Sequence, residues 1–184
     1  MSVFQSKGHH IYFAYGSNMH PEQIAERCGS PEVVGIARLK DHRLAFFGHS
    51  PTWDGAEEAV VPQEGEEVWG VLYRLSFAEA DQLDAWQGVR ADGCGPYFLF
   101  PVFAVDDGGV SHVSLLYKKD SCGTAGLPSQ EQRAFIVAGA RARGLPEAYV
   151  DRLLCLPAKK AAYPVPRSES RWRNLLSSVC RACG

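Results

Sequence analysis

Residues 11–18, Ile-Tyr-Phe-Ala-Tyr-Gly-Ser-Asn, hold the first arrangement in the chain that could do chemistry. Ile11 to Tyr15 have the aromatic and β-branched content of a strand. Gly16 permits backbone geometry that other residues resist, and Ser17 and Asn18 are helix N-cap types. A strand ending in a tight turn against a helix start leaves backbone N–H groups aimed outward. Such groups can hold a carboxylate or a developing oxyanion. An ordinary strand–turn–helix join has the same residues, so the turn alone does not establish a site.

Metal and disulfide chemistry find less support. The six cysteines stand scattered at 28, 94, 122, 155, 180 and 183, and no basic-then-apolar leader opens the chain. Reduced thiols are therefore expected. Cys180-Arg-Ala-Cys183 has CxxC spacing, but no second pair completes a zinc site, and it reads as a frayed end carrying two thiols. The six histidines show no metal-ligand spacing. No metal and no cofactor are predicted.

The elements that would position the turn fit one domain of 184 residues, 46% apolar and 22% charged. A net charge of −2 gives no argument for nucleic acid, and no apolar run approaches the ~20 residues that span a bilayer. A cytoplasmic protein is expected, with neither nucleic acid nor membrane as partner; the sequence permits a homodimer without demanding one.

After the turn, Pro21 to Cys28 reads as a short helix with Pro at an early position. Residues 33–39 and 43–47 read as two strands joined through Lys40-Asp41-His42, and residues 58–62 and 68–75 as a further pair joined by the charged turn 63–67. Ser76 with Glu79 forms a capping box for a helix that Gly88 ends. Residues 90–96 are rich in turn formers, and 97–105 with 110–117 make another hairpin. Helices are expected over 129–143, closed by Gly144, and over 146–154. A basic amphipathic piece follows at 170–180. About seven strands in hairpins, with helices that do not alternate with them, predict an α+β fold: a small mixed or antiparallel barrel with helices at its edges.

Several pieces taken together resemble the γ-glutamylcyclotransferases. They are Tyr12-Phe13-Ala14-Tyr15-Gly16-Ser17-Asn18, Ala37-Arg38-Leu39-Lys40-Asp41, Thr52-Trp53-Asp54-Gly55, Glu67-Val68-Trp69-Gly70-Val71 and Leu83-Asp84-Ala85-Trp86-Gln87-Gly88-Val89. Tyr97, Tyr117 and Gly144-Leu145-Pro146 follow in the same order, and the resemblance runs from about residue 11 to about 155. It implies a γ-glutamylcyclotransferase-like domain over 11–158, preceded by an extension at 1–10 and followed by a tail at 159–184. It also implies the reaction. The substrate's own α-amine attacks its γ-carbonyl, releasing 5-oxoproline and a free amine or amino acid. The amine must lose a proton, the oxyanion needs donors, and the chain must be held curled. The resemblance counts Tyr15, Gly16, Ser17 and Asn18 as substrate-binding, with Trp53, Tyr97 and Tyr117 along the pocket.

One departure matters. The proton acceptor that the resemblance implies is a glutamate, and Gln87 stands at its position. A carboxamide can orient an amine but cannot deprotonate it. Three accounts fit. Gln87 is a deliberate isosteric replacement in a protein whose parent is active; or the acid has moved, with Glu58, Glu57 and Asp84 as candidates; or the fold persists as a binding protein for a γ-glutamyl or related small molecule. Glu57 and Glu58 are adjacent strand residues, so one of the two could point inward, although a solvated surface position is the commoner fate of a carboxylate. A partner-binding protein working through residues 170–180 is a further class.

Overall fold

The computed structural model describes residues 8–90, 92, 95–119 and 122–167. The amphipathic piece at 170–180, the CxxC pair and Cys94 lie outside the described residues. Five strands close into a barrel in the order β1-β3-β2-β4-β5: β1 His9–Ala14, β2 Glu32–Ser50, β3 Gly55–Ser76, β4 Tyr97–Asp106 and β5 Ser111–Lys119. Neighbours pair antiparallel except at the closing seam, where β1 meets β5 in parallel at Tyr12↔Leu115. Phe13, Val68, Leu72, Leu75 and Leu116 are among the fully buried side chains of the core.

The α+β barrel agrees with expectation, but it has five strands rather than about seven. The two pairs read as separate strands are β2 and β3, each continuous and paired along most of its length. Lys40-Asp41-His42 is not a hairpin turn. Lys40 pairs with Glu67 and His42 with Pro62, so residues 63–66 of β3 arch out opposite Asp41. Asp41 takes φ 57°, and its Oδ1 accepts a hydrogen bond from Gly65 N at 3.0 Å. The ladder therefore runs through a large bulge. The true hairpin tip is Pro51-Thr52-Trp53-Asp54, between β2 and β3.

Among the described residues, four helices flank the barrel: α1 Pro21–Cys28, α2 Phe77–Gln87, α3 Gln130–Ala142 and α4 Glu147–Leu154. Their ends follow from local chemistry. Ser76 accepts from Glu79 N while the Glu79 side chain accepts from Ser76 N, and Gly88 closes α2 in the left-handed conformation. Ser129 caps α3. Ser17 and Asn18 do not cap α1: with Met19 they form a single 3-10 turn, and His20 caps α1 by accepting from Glu22 N. Because α2 delivers Trp86 and Gln87, its cap bears on the site. Ser76→Ala is expected to cost about 1 kcal/mol, read as a lower midpoint in chemical denaturation; an unchanged midpoint would rule the cap out as a stabiliser.

Beyond α4, the chain runs back along the hairpin tip. Ala162 N donates to Asp54 Oδ2 at 2.6 Å, Arg167 N to Thr52 O at 2.8 Å and Tyr163 OH to Pro51 O at 2.7 Å. Among the described residues, no helix is long and apolar enough to cross a membrane.

Candidate active site

The barrel opens on a cavity of about 230 Å³ where the turn after β1, the hairpin tip, the C-terminal end of α2 and the start of β4 meet. Of the eleven site residues named from the sequence, ten line it: Tyr15, Gly16, Ser17, Asn18, Trp53, Glu57, Glu58, Gln87, Tyr97 and Tyr117. They do not stand equal once their partners are counted.

Glu58 reaches into the turn. Its Oε1 accepts from Ser17 N at 3.0 Å and from Ser17 Oγ at 2.6 Å, and its Oε2 accepts from Gln132 Nε2 at 2.9 Å. Glu58 is thus no solvated surface carboxylate. Gly16 makes the room: a Cβ there would lie 2.6 Å from Glu58 Cγ and 2.7 Å from its Oε1. Gln132, fully buried in the first turn of α3, brings its other atom, Oε1, to no partner among the described residues. A carboxylate offers about four lone-pair positions; with three taken, Glu58 keeps one acceptor position. Glu57, by contrast, is ion-paired with the buried Lys119, whose ammonium also sits 4.7 Å from the centre of the Tyr97 ring. Asp84 does not line the cavity; its Oδ1 accepts from Tyr117 OH at 2.6 Å behind the wall. Gln87 is half-buried and makes no hydrogen bond through its side chain among the described residues.

The remaining groups form a rigid wall. Tyr15 OH donates to Tyr117 O at 2.7 Å, and Tyr97 OH donates to Glu58 O at 3.0 Å. The hydroxyl protons of Tyr15, Tyr97 and Tyr117 are therefore spent within the protein, although each oxygen can still accept. Burial pushes all three well above the ordinary phenol range, and the Glu58 charge adds to the shift at Tyr15 and Tyr97. They remain protonated donors. The Ser17 N–H, expected as an oxyanion donor, is held by Glu58. Trp53 is buried against Phe135 of α3, with ring centroids 5.0 Å apart.

Sequence reasoning missed Arg27 and Gln132. Arg27, in the last turn of α1, lines the cavity and donates through Nη1 to Asn18 Oδ1 at 2.6 Å. Gln23 Nε2 donates to the same oxygen at 3.3 Å, and Asn18 Nδ2 donates to Tyr12 OH at 2.9 Å. The signal was present: Gln23 and Arg27 lie four apart on the helical face that also buries Ile24 and Cys28. Nothing local marked Gln132, whose role comes from the packing of α3 against the hairpin tip. The described residues hold no group of three or more His, Cys, Asp or Glu side chains able to bind a metal ion.

Comparison with known proteins agrees with this architecture. The AIG2-like family profile matches residues 67–153. The γ-glutamylcyclotransferase of Homo sapiens is 32% identical over 147 residues, covering 78% of this chain and 76% of that protein; that of Mus musculus is 31% identical over the same span. A solved γ-glutamyl cyclotransferase structure superposes with a TM-score of 0.80 at 29% identity, covering 92% of this chain and 99% of the other. On that identity and coverage, the chain belongs to the γ-glutamylcyclotransferase family.

Proposed function

We propose that this protein cleaves γ-glutamyl amides by intramolecular cyclisation, and that Glu58 accepts the proton in place of the glutamate that the resemblance puts at position 87. The observation that carries the reading is the Glu58 carboxylate, fixed inside the cavity by Ser17 and Gln132 with one acceptor position left. A substrate α-ammonium docked there loses a proton to Glu58. The freed amine attacks the γ-carbonyl, forming the new N–C bond, and the tetrahedral intermediate collapses with loss of the old one. Glu58 returns its proton to the departing nitrogen. Over the whole reaction the attacking nitrogen sheds two protons and the released amine gains two, so the balance closes without water. The tyrosine wall restricts the glutamyl chain to curled conformers, which makes the two reacting atoms neighbours. Gln87 orients by hydrogen bonding and transfers no proton.

The test is 5-oxoproline release from a panel of γ-glutamyl amides by the native chain and by Gln87→Glu. The native chain is expected to turn over, with Gln87→Glu within about tenfold of it, because the base is already present. Activity confined to Gln87→Glu would place the base at residue 87 and overturn the role of Glu58. No turnover by either protein, with folding intact, would leave a binding protein on this scaffold.

A further inference from the structure

The cavity holds two opposite charges that do not neutralise each other. Arg27 and Glu58 both line it, yet no ion pair joins them, and Arg27 pairs with no other carboxylate among the described residues. Each is tied instead to neutral groups: Arg27 to the Asn18 carbonyl oxygen, Glu58 to Ser17 and Gln132. Burial lowers the pKa of the Arg27 guanidinium, and the Glu58 charge is the largest influence opposing that shift. The two side chains therefore sense each other across the cavity without touching. Removing a guanidinium from water without a carboxylate partner is costly, and Arg27 keeps further N–H donors beyond the one given to Asn18.

We infer that Arg27 is the anchor for the α-carboxylate of the ligand, so that Arg27 and Glu58 together read the zwitterionic head of an α-amino acid. The inference rests on the cyclotransferase reading for the ligand's identity and extends it to specificity. A γ-glutamyl group carries its ammonium and carboxylate on one carbon. With the ammonium on Glu58, the carboxylate meets the one unpaired cation lining the cavity among the described residues. The planar guanidinium suits a carboxylate, which it can bind through two parallel hydrogen bonds. The Trp86 ring, 5.8 Å from the guanidinium carbon, flanks the plane. Arg27 thereby discriminates against amides of 4-aminobutanoate, which hold the same amine and carbonyl and could close the same ring but lack the carboxylate.

The test compares binding of 5-oxoproline and its uncharged analogue pyrrolidin-2-one to the native chain, Arg27→Gln and Arg27→Lys by calorimetry, with 5-oxoproline release followed on the same preparations. The native chain is expected to favour 5-oxoproline. Arg27→Gln is expected to weaken 5-oxoproline by about thirtyfold or more and leave pyrrolidin-2-one unchanged, while Arg27→Lys retains part of the preference. If Arg27→Gln weakens both ligands alike, Arg27 only positions the turn through Asn18, and the inference fails. It fails equally if the preference survives in Arg27→Gln; turnover by the native chain would then leave the cyclotransferase reading standing. Arg27-dependent binding without turnover reverses that outcome, keeping the anchor and removing the activity. A native chain that neither binds 5-oxoproline nor turns over removes both.

Discussion

Replacing Glu58 with glutamine is expected to slow the catalysed release of 5-oxoproline by about 10²–10⁴-fold, the usual cost of losing a general base. The substitution keeps size and shape, so the fold is expected to survive it. The buried Gln132 Oε1, which has no partner now, provides the reason. If the Gln132 amide turns over, that oxygen faces the introduced carboxamide and accepts its N–H, while the new carbonyl oxygen still accepts from Ser17. An oriented but protonated substrate amine then remains bound and unreactive, so the loss falls on kcat and KM changes far less. Steady-state kinetics beside a thermal melt read both quantities. A Glu58→Gln protein that turns over at the native rate would exclude Glu58 as the base and turn attention to Glu57, which its pairing with Lys119 otherwise discourages.

The second large effect concerns stability. A Cβ on Gly70 would lie 2.3 Å from the Ala14 carbonyl oxygen and 2.8 Å from the Phe13 ring. Neither atom belongs to the far end of a flexible side chain: one is backbone, the other a ring buried in the core. Gly70→Ala therefore forces β1 away from β3 at the point where β1 runs into the turn. The expected cost is about 3 kcal/mol, at the upper end for overpacking, or a fall in Tm of roughly 10 °C for a chain of this size. Differential scanning calorimetry measures it; an unchanged Tm would mean that the strands separate there without strain.

What could be read ahead from the chain divides by the range of the interactions involved. The bounds of α1 and α2 were legible because Pro21, the Ser76–Glu79 box and Gly88 act within a turn of where they stand. The strand count was not. Lys40-Asp41-His42 has the polarity of a hairpin connection, and its real partner is the Gly65 N–H on the far side of the 63–66 arch. The site shows the same split. Residues from the turn, the hairpin tip, α2, β4 and β5 were named in advance and do meet in one cavity. The choice between Glu57 and Glu58, by contrast, depended on Lys119 and Gln132, 62 and 74 residues away. Arg27 escaped notice because a charged residue in a short helix reads as a solvated one. Its spacing from Gln23 puts it on the buried face of α1, and the packing of that face over Asn18 turns it inward.

The barrel closes where β1 lies alongside β5, and that seam passes through the candidate site. Tyr12 and Tyr15 stand on one side of it and Tyr117 on the other. Tyr12 and Tyr117 meet edge to face at 5.2 Å, and the Tyr15 hydroxyl crosses the seam to the Tyr117 carbonyl, 102 residues away in sequence. Contacts of such sequence separation carry a loop-closure cost that local hairpin contacts do not, and non-local pairings of this kind slow folding. A chain with every hairpin built but the seam open has its secondary structure and no binding site. An intact pocket is thus a readout of barrel closure, which secondary structure content alone does not report.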